Sequence, residues 1–146
     1  MQCNPAWEAV SGLIRGILGL STIDYVVARQ EKTWFLNGKR VPGLEHLVDL
    51  DFSFTPATNL TQLRRVSLPI GRAVQVPVAW FDLRSGALAE LRQVYRRQEE
   101  RLVWYEAPTE GYRGLLEFDA DGFIKSYPML WQAEATSNFQ SEDETE

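Results

Sequence analysis

The sequence has one cysteine, Cys3, and one histidine, His46. A single cysteine excludes an intrachain disulfide and any site built from several thiolates. A single histidine with no cysteine near it excludes a transition-metal site, so His46 is expected on the surface or in a turn. No apolar run reaches the ~18 residues of a membrane-spanning helix. Leu13 to Leu20 is apolar, but Arg15 and two glycines interrupt it, and no basic segment or cleavage site accompanies it. Cys3 is too near the start to be a lipidated residue behind an apolar leader, and the chain is expected to stay in the cytoplasm. There is no Gly-x-Ser-x-Gly elbow, and Ile14 to Gly19 lacks the lysine and the strand-to-helix setting of a phosphate loop.

The 146 residues suit a single domain, with 45% hydrophobic and 24% charged residues. Five Trp, five Tyr and seven Phe favour sheets and apolar cavities. The net charge of −5 argues against nucleic acid as a partner. Residues 1–133 are expected to form a β-rich domain and 134–146 an acidic mobile tail, which holds five acids and no base.

Short strands fill the domain. Trp7 to Ile14 and Ser21 to Arg29 read as strands, with Gly12, Gly16 and Gly19 marking bends or the turn between them. Asn37-Gly38 predicts a type I′ hairpin between Lys32–Leu36 and Lys39–Val41. Ala73 to Leu83 reads as one long strand, edge or bulged at Pro77. Leu88 to Arg97 is ambiguous between helix and strand, and its Gln-Val-Tyr-Arg run favours strand. Arg101–Ala107, Tyr112–Asp119 and Phe123–Tyr127 follow, separated by Pro108–Gly111 and Asp119–Gly122 turns. Met129 to Trp131 is expected to pack back on the core. Helix is limited to about Thr58–Leu63. The pattern predicts a mainly β fold: a curled antiparallel sheet, an unfinished barrel or β-roll, with one or two short helices.

The most unusual stretch is Gly43 to Arg65. Val48, Leu50 and Phe52 face one way and Asp49, Asp51 and Ser53 the other. The strand breaks at Thr55-Pro56, turns at Thr58-Asn59, and ends in Arg64-Arg65. Asp49 and Asp51 share a face, which fits a carboxylate pair for glycoside hydrolysis or part of a hard-cation site. It fits equally two acceptors in a structural corner with Thr55 and Thr58, paired with Arg64 and Arg65; the pairing reading is preferred, because buried acids need partners. The cluster Arg92, Arg96, Arg97 and Arg101 is interleaved with glutamates and reads as a solvated face.

The series NGKRVPGLEHLVDLDFSFTPATN, LRRVSLPIGRAVQVPVAWFDL and YRGLLEFDADGFIKSYPMLW resembles a bacterial glycolipid-binding protein family. The residues that carry the resemblance are Asp49, Asp51, Thr55, Pro56, Thr58, Asn59, Arg64, Arg65, Trp80, Asp121, Gly122, Tyr127 and Pro128. It runs from about Trp7 to Trp131. It implies a curled sheet similar to that of bacterial lipoprotein carriers, no catalytic residues, no cofactor and no metal, and a lipid or glycolipid partner. Under it, Asn59, Arg64 and Arg65 meet a polar or anionic head group. Trp80, Trp104 and Tyr95, with Trp131, Phe118 and Phe123, line the apolar part. Family members usually carry further strands at the N-terminus, so the resemblance implies either a true start upstream or a sheet lacking an edge, in which case a strand near Trp7 or Tyr25 is expected to be open and to pair in a homodimer. The alternative is a structural or interaction module in which the same aromatics fill the core and the chain self-associates through that edge. Fold resemblance alone does not choose between them.

Overall fold

The computed structural model describes residues 1–134; the remainder of the expected tail, 135–146, lies outside the described residues. An antiparallel meander comes first: β1 (Gln2–Cys3), β2 (Ala9–Leu18), β3 (Ser21–Gln30), β4 (Thr33–Leu36) and β5 (Lys39–Val41), hydrogen-bonded in that order. The turn between β4 and β5 is Asn37-Gly38, at φ 48° and 77°, the two left-handed positions that a type I′ turn requires. Gly12 makes no bend. It lies within β2, and a Cβ there would stand 2.7 Å from Phe52 Cζ and 2.9 Å from Leu50 Cδ2. The missing side chain lets the meander close onto the central stretch.

That stretch is β6 (Leu50–Phe52), followed by α1 (Thr58–Arg65). Next come β7 (Ala73–Gln75), β8 (Val78–Asp82), β9 (Ala87–Leu91), β10 (Val94–Arg97) and β11 (Leu102–Ala107). A 3₁₀ turn at Pro108–Glu110 leads into β12 (Tyr112–Phe118), β13 (Ile124–Tyr127) and β14 (Trp131–Gln132). Leu88 to Arg97 is strand, not helix, but it is broken at Arg92-Gln93, as Ala73 to Leu83 is broken at Val76-Pro77. The breaks face each other, and Val76 N–H donates to Gln93 O across them at 2.9 Å. Pro77 supplies no donor, so the ladder cannot run through it. The result is one long bent hairpin. Its first half, near the chain's two ends of the hairpin, pairs β7 with β10 in the sheet β14-β13-β12-β11-β10-β7; its other half pairs β8 with β9 in the sheet β6-β8-β9. The bend curls the structure without closing a barrel.

β6 pairs with β8 in parallel, the one departure from the antiparallel expectation among the described pairs. The crossover between them passes through α1, as a parallel connection requires. β8 is buried on both faces. Ala79 and Phe81 join Trp34, Leu47, Leu50 and Phe52 in a core beneath the meander. Val78 and Trp80 face the other way, toward Tyr95, Tyr105, Leu116 and Phe118. Period-two alternation along this one strand therefore separates two apolar clusters. At Tyr25 β3 pairs with β2 on one side only, since β4 joins its other side from Val27 onward; the Tyr25 ring packs on Phe81 with centroids 4.8 Å apart. Trp7 sits in the turn between β1 and β2, at φ 64°. Met129 and Leu130 do not return to the core but stand exposed beyond β13. No helix among the described residues is long and apolar enough to cross a membrane.

Candidate functional site

α1 presents an unusual face. Thr58, Asn59, Gln62 and Arg65 fall at i, i+1, i+4 and i+7, which is one side of a helix. On most helices that stripe is apolar; here all four are polar, and the first three are buried. Each meets a partner held by a strand. The Thr58 hydroxyl donates to Asp51 Oδ1. Asn59 Nδ2 donates to the Tyr95 hydroxyl at 2.6 Å, which donates to Gln62 Oε1 at 2.7 Å. Gln93 Nε2 also donates to Gln62 Oε1, at 3.0 Å, and Tyr105 donates to Gln93 Oε1 at 2.7 Å. Arg65 grips Asp49 with two nitrogens, Nε to Oδ1 at 2.9 Å and Nη2 to Oδ2 at 2.6 Å. A buried network of this kind holds only if its members satisfy one another.

Strand alternation explains the other half. Asp49 and Asp51 point away from Leu50 and Phe52, so they face α1; Gln93, Tyr95 and Tyr105 face it from the bent hairpin and β11. The two aspartates differ in kind. Asp49 has a full cationic partner, and that hydrogen bond raises the Arg65 guanidinium further. Asp51 has none. Burial pushes its carboxyl up to about 6, against the Thr58 hydrogen bond, which lowers it. The Gln62 amide lies near enough to favour the charged carboxylate slightly, yet Gln62 Nε2 completes no hydrogen bond among the described residues. Burial likewise raises Tyr95, Tyr105 and Tyr127, which remain protonated donors.

Next to this network opens a cavity of about 550 Å³. Its buried lining includes Asp51, Asn59, Leu91 and Tyr105, and Trp80, Tyr112 and Tyr127 form its walls. Tyr105, Tyr112 and Tyr127 pack as a cluster with ring centroids 5.1 to 5.9 Å apart. Phe54, Leu130 and Trp131, all exposed, stand at its mouth. Its volume is within the range of small-molecule sites, roughly 300–1,000 Å³, and its make-up is theirs too: apolar walls with a few converging polar groups. The charged residues that line it, among those described, are Asp51, Asp82, Glu110 and Arg84.

The residues singled out from the sequence therefore divide. Asn59 and Trp80 line the cavity, and Tyr95 lies directly behind Asn59. Arg65 is committed to Asp49. Arg64, one residue earlier, projects about 100° round the helix from it and donates to the backbone Asp121 O at 2.7 Å, so only one arginine of the expected pair meets a carboxylate. Trp104 lies on the opposite face of β11 from Tyr105, where its indole donates to Glu106 at 2.6 Å. Phe118 belongs to the second core, and Phe123 is exposed at a turn. Thr55 has a local role: its hydroxyl accepts from Ala57 N–H at 3.2 Å at the entry to α1. His46 sits exposed beside Glu90, at 3.2 Å. Gln62, Gln93, Tyr105 and Tyr112 are not singled out by the sequence, and Tyr127 only as one of the residues that carry the family resemblance. The first could have been found as part of the polar stripe; the tyrosines carry no local signal separating a cavity wall from a core.

A family model described as "Putative glycolipid-binding" matches residues 1–133. A crystal structure of a DUF1089 family protein from Pseudomonas aeruginosa is similar in fold, with a TM-score of 0.78 at 19% identity; the match covers 90% of this chain and 73% of that one. No curated protein shows significant similarity to the chain.

Proposed function

The chain belongs to this glycolipid-binding family, and we propose that it is a non-enzymatic binding protein whose aromatic cavity holds an amphiphile with an uncharged, hydroxyl-bearing head group. The observation that carries this reading is the lining. Trp80, Tyr112, Tyr127 and Trp131 offer broad apolar faces, while Asp51 and Asn59 offer an acceptor and an amide at the buried end. Carboxylate and amide oxygens suit hydroxyl donors, and indole and phenol rings suit the apolar faces of a sugar ring or the start of an acyl chain.

The head group assigned to the arginines by the resemblance is a poorer match. Three acids and one base line the cavity, so an anionic head would enter an unfavourable field. Arg64 and Arg65 lie outside it. A neutral head fits this balance. The opening itself favours a binding cavity over a core filled by the same aromatics.

Tryptophan fluorescence tests the reading. Titration with octyl glucoside below its micelle concentration should saturate, and octyl sulfate, with a chain of the same length, should bind at least tenfold more weakly. Equal binding of the two, or tighter binding of the sulfate, contradicts the assignment of a neutral head. No saturable binding of either contradicts the cavity reading.

A further inference from the structure

The ribbon formed by β2 and β3 runs past its own sheet. β4 lies beside β3 only from Val27 to Gln30, and β1 reaches β2 only at Ala9 and Ser11. From Gly12 to Val27 the two strands continue paired to each other, ending at the Gly19-Leu20 turn. The segment Gly16 to Ile23 contains no charged residue. Ile17, Leu18 and Leu20 are 78%, 53% and 106% exposed. Behind them Arg15 and Asp24 bond to each other at 3.1 Å, so the nearest charges to the tip are paired. Exposed apolar groups gathered in this way, rather than scattered, mark a contact surface.

We propose that this hairpin tip inserts into the interfacial layer of an uncharged or zwitterionic lipid bilayer and holds the cavity mouth against it. Continuity with the cavity supports a lipid surface. Leu13 and Ile14 of β2 line a hollow with Phe52, Phe54 and Thr55, and the last three also line the aromatic cavity. Arg15, ion-paired with Asp24, and Thr58 also line this hollow, and a mainly apolar path thus runs from the finger to the site, the route a poorly soluble ligand leaving a membrane requires. This part rests on the amphiphile reading. The chain's net charge of −5 gives no attraction to an anionic surface, so apolar insertion must supply the binding. A second copy of the chain is a poorer occupant. Leu13, Ile17, Leu18 and Leu20, wholly covered, contribute on the order of 500 Å², below the roughly 800 Å² per partner of a stable interface.

Flotation of the full chain with phosphatidylcholine vesicles tests the proposal, using the wild type and the double variant Ile17→Thr/Leu20→Ser. Both positions are exposed, so the variant should keep the wild-type melting temperature and octyl glucoside affinity. Wild type should float, and the variant should partition about tenfold or more weakly, as loss of two buried apolar side chains requires. Absence of flotation by the wild type overturns the proposal, and so does equal flotation of the variant. A wild-type dimer without vesicles that the double variant abolishes also overturns it, assigning the tip to contact between copies. Tip-dependent flotation without glycoside binding upholds the docking surface and overturns the cavity reading alone.

Discussion

Asp51→Asn removes an acid that is buried at the cavity floor without a cationic partner. Asp51 is 6% exposed, and Arg65, the cation on that side of α1, is bonded to Asp49. Burial raises the carboxyl from 3.8 to about 6 in the folded chain. In an unfolded chain an aspartate titrates near 3.9. Between roughly pH 4 and 6, therefore, the native state holds a proton that the unfolded state has released. Stability attributable to this group is highest below that window and falls as pH rises through it. At about 1.36 kcal/mol per pH unit, the loss levels off near 3 kcal/mol by about pH 7. The variant lacks this dependence, and it weakens the hydrogen bond from Thr58 by about 1 kcal/mol. It should consequently be the less stable protein near pH 4 and the more stable one near pH 7.5. Urea unfolding followed by tryptophan fluorescence, at half-unit steps over that range, gives both curves. Their difference isolates Asp51 from the other carboxylates. Parallel curves, or a variant less stable at every pH, would refute the placing of an unpaired, buried carboxyl at this position.

Three further outcomes follow from the packing. Gly12→Ala drives a methyl into Phe52 and Leu50, which are themselves buried, and should cost about 1–3 kcal/mol in chemical denaturation. Arg65→Met leaves Asp49 buried and unpaired, and should cost about 3 kcal/mol or more at neutral pH; adding Asp49→Asn should recover a large part of that loss. Trp131→Ala, at an exposed position on the cavity mouth, should leave the melting temperature within a few degrees of wild type while weakening octyl glucoside binding several-fold in the fluorescence titration.

Much of the fold was legible because its signals are local. Asn37-Gly38 announces its hairpin, and the alternation around Leu50 correctly turns Asp49 and Asp51 away from the first core. Long-range choices were not legible. Nothing near Leu50 says that β6 will pair with β8 in parallel, and Pro77 announces a break in its own strand without revealing that Gln93 breaks the opposite one. At the site, Asp49 with Arg65 followed from the demand of a buried acid for a partner. Asp51 did not follow that rule: it accepts from Thr58 without a cationic partner, and burial raises its carboxyl to about 6, an arrangement visible only once α1 is in place. The stripe Thr58, Asn59, Gln62, Arg65 carried a helical period in polar residues, which a search for apolar periodicity passes over. Trp104 and Tyr105 are neighbours in sequence, and only the register of β11 decides which of them turns inward.

The most direct test of the binding account is native mass spectrometry of the protein purified from its own host, with organic extraction and identification of whatever accompanies it. The account predicts a discrete adduct of reproducible mass, an amphiphile with a hydroxylated, uncharged head, lost from a Trp80→Ala/Trp131→Ala variant that still folds. A chain that is bare in every preparation, or an adduct that persists undiminished in that variant, would contradict it.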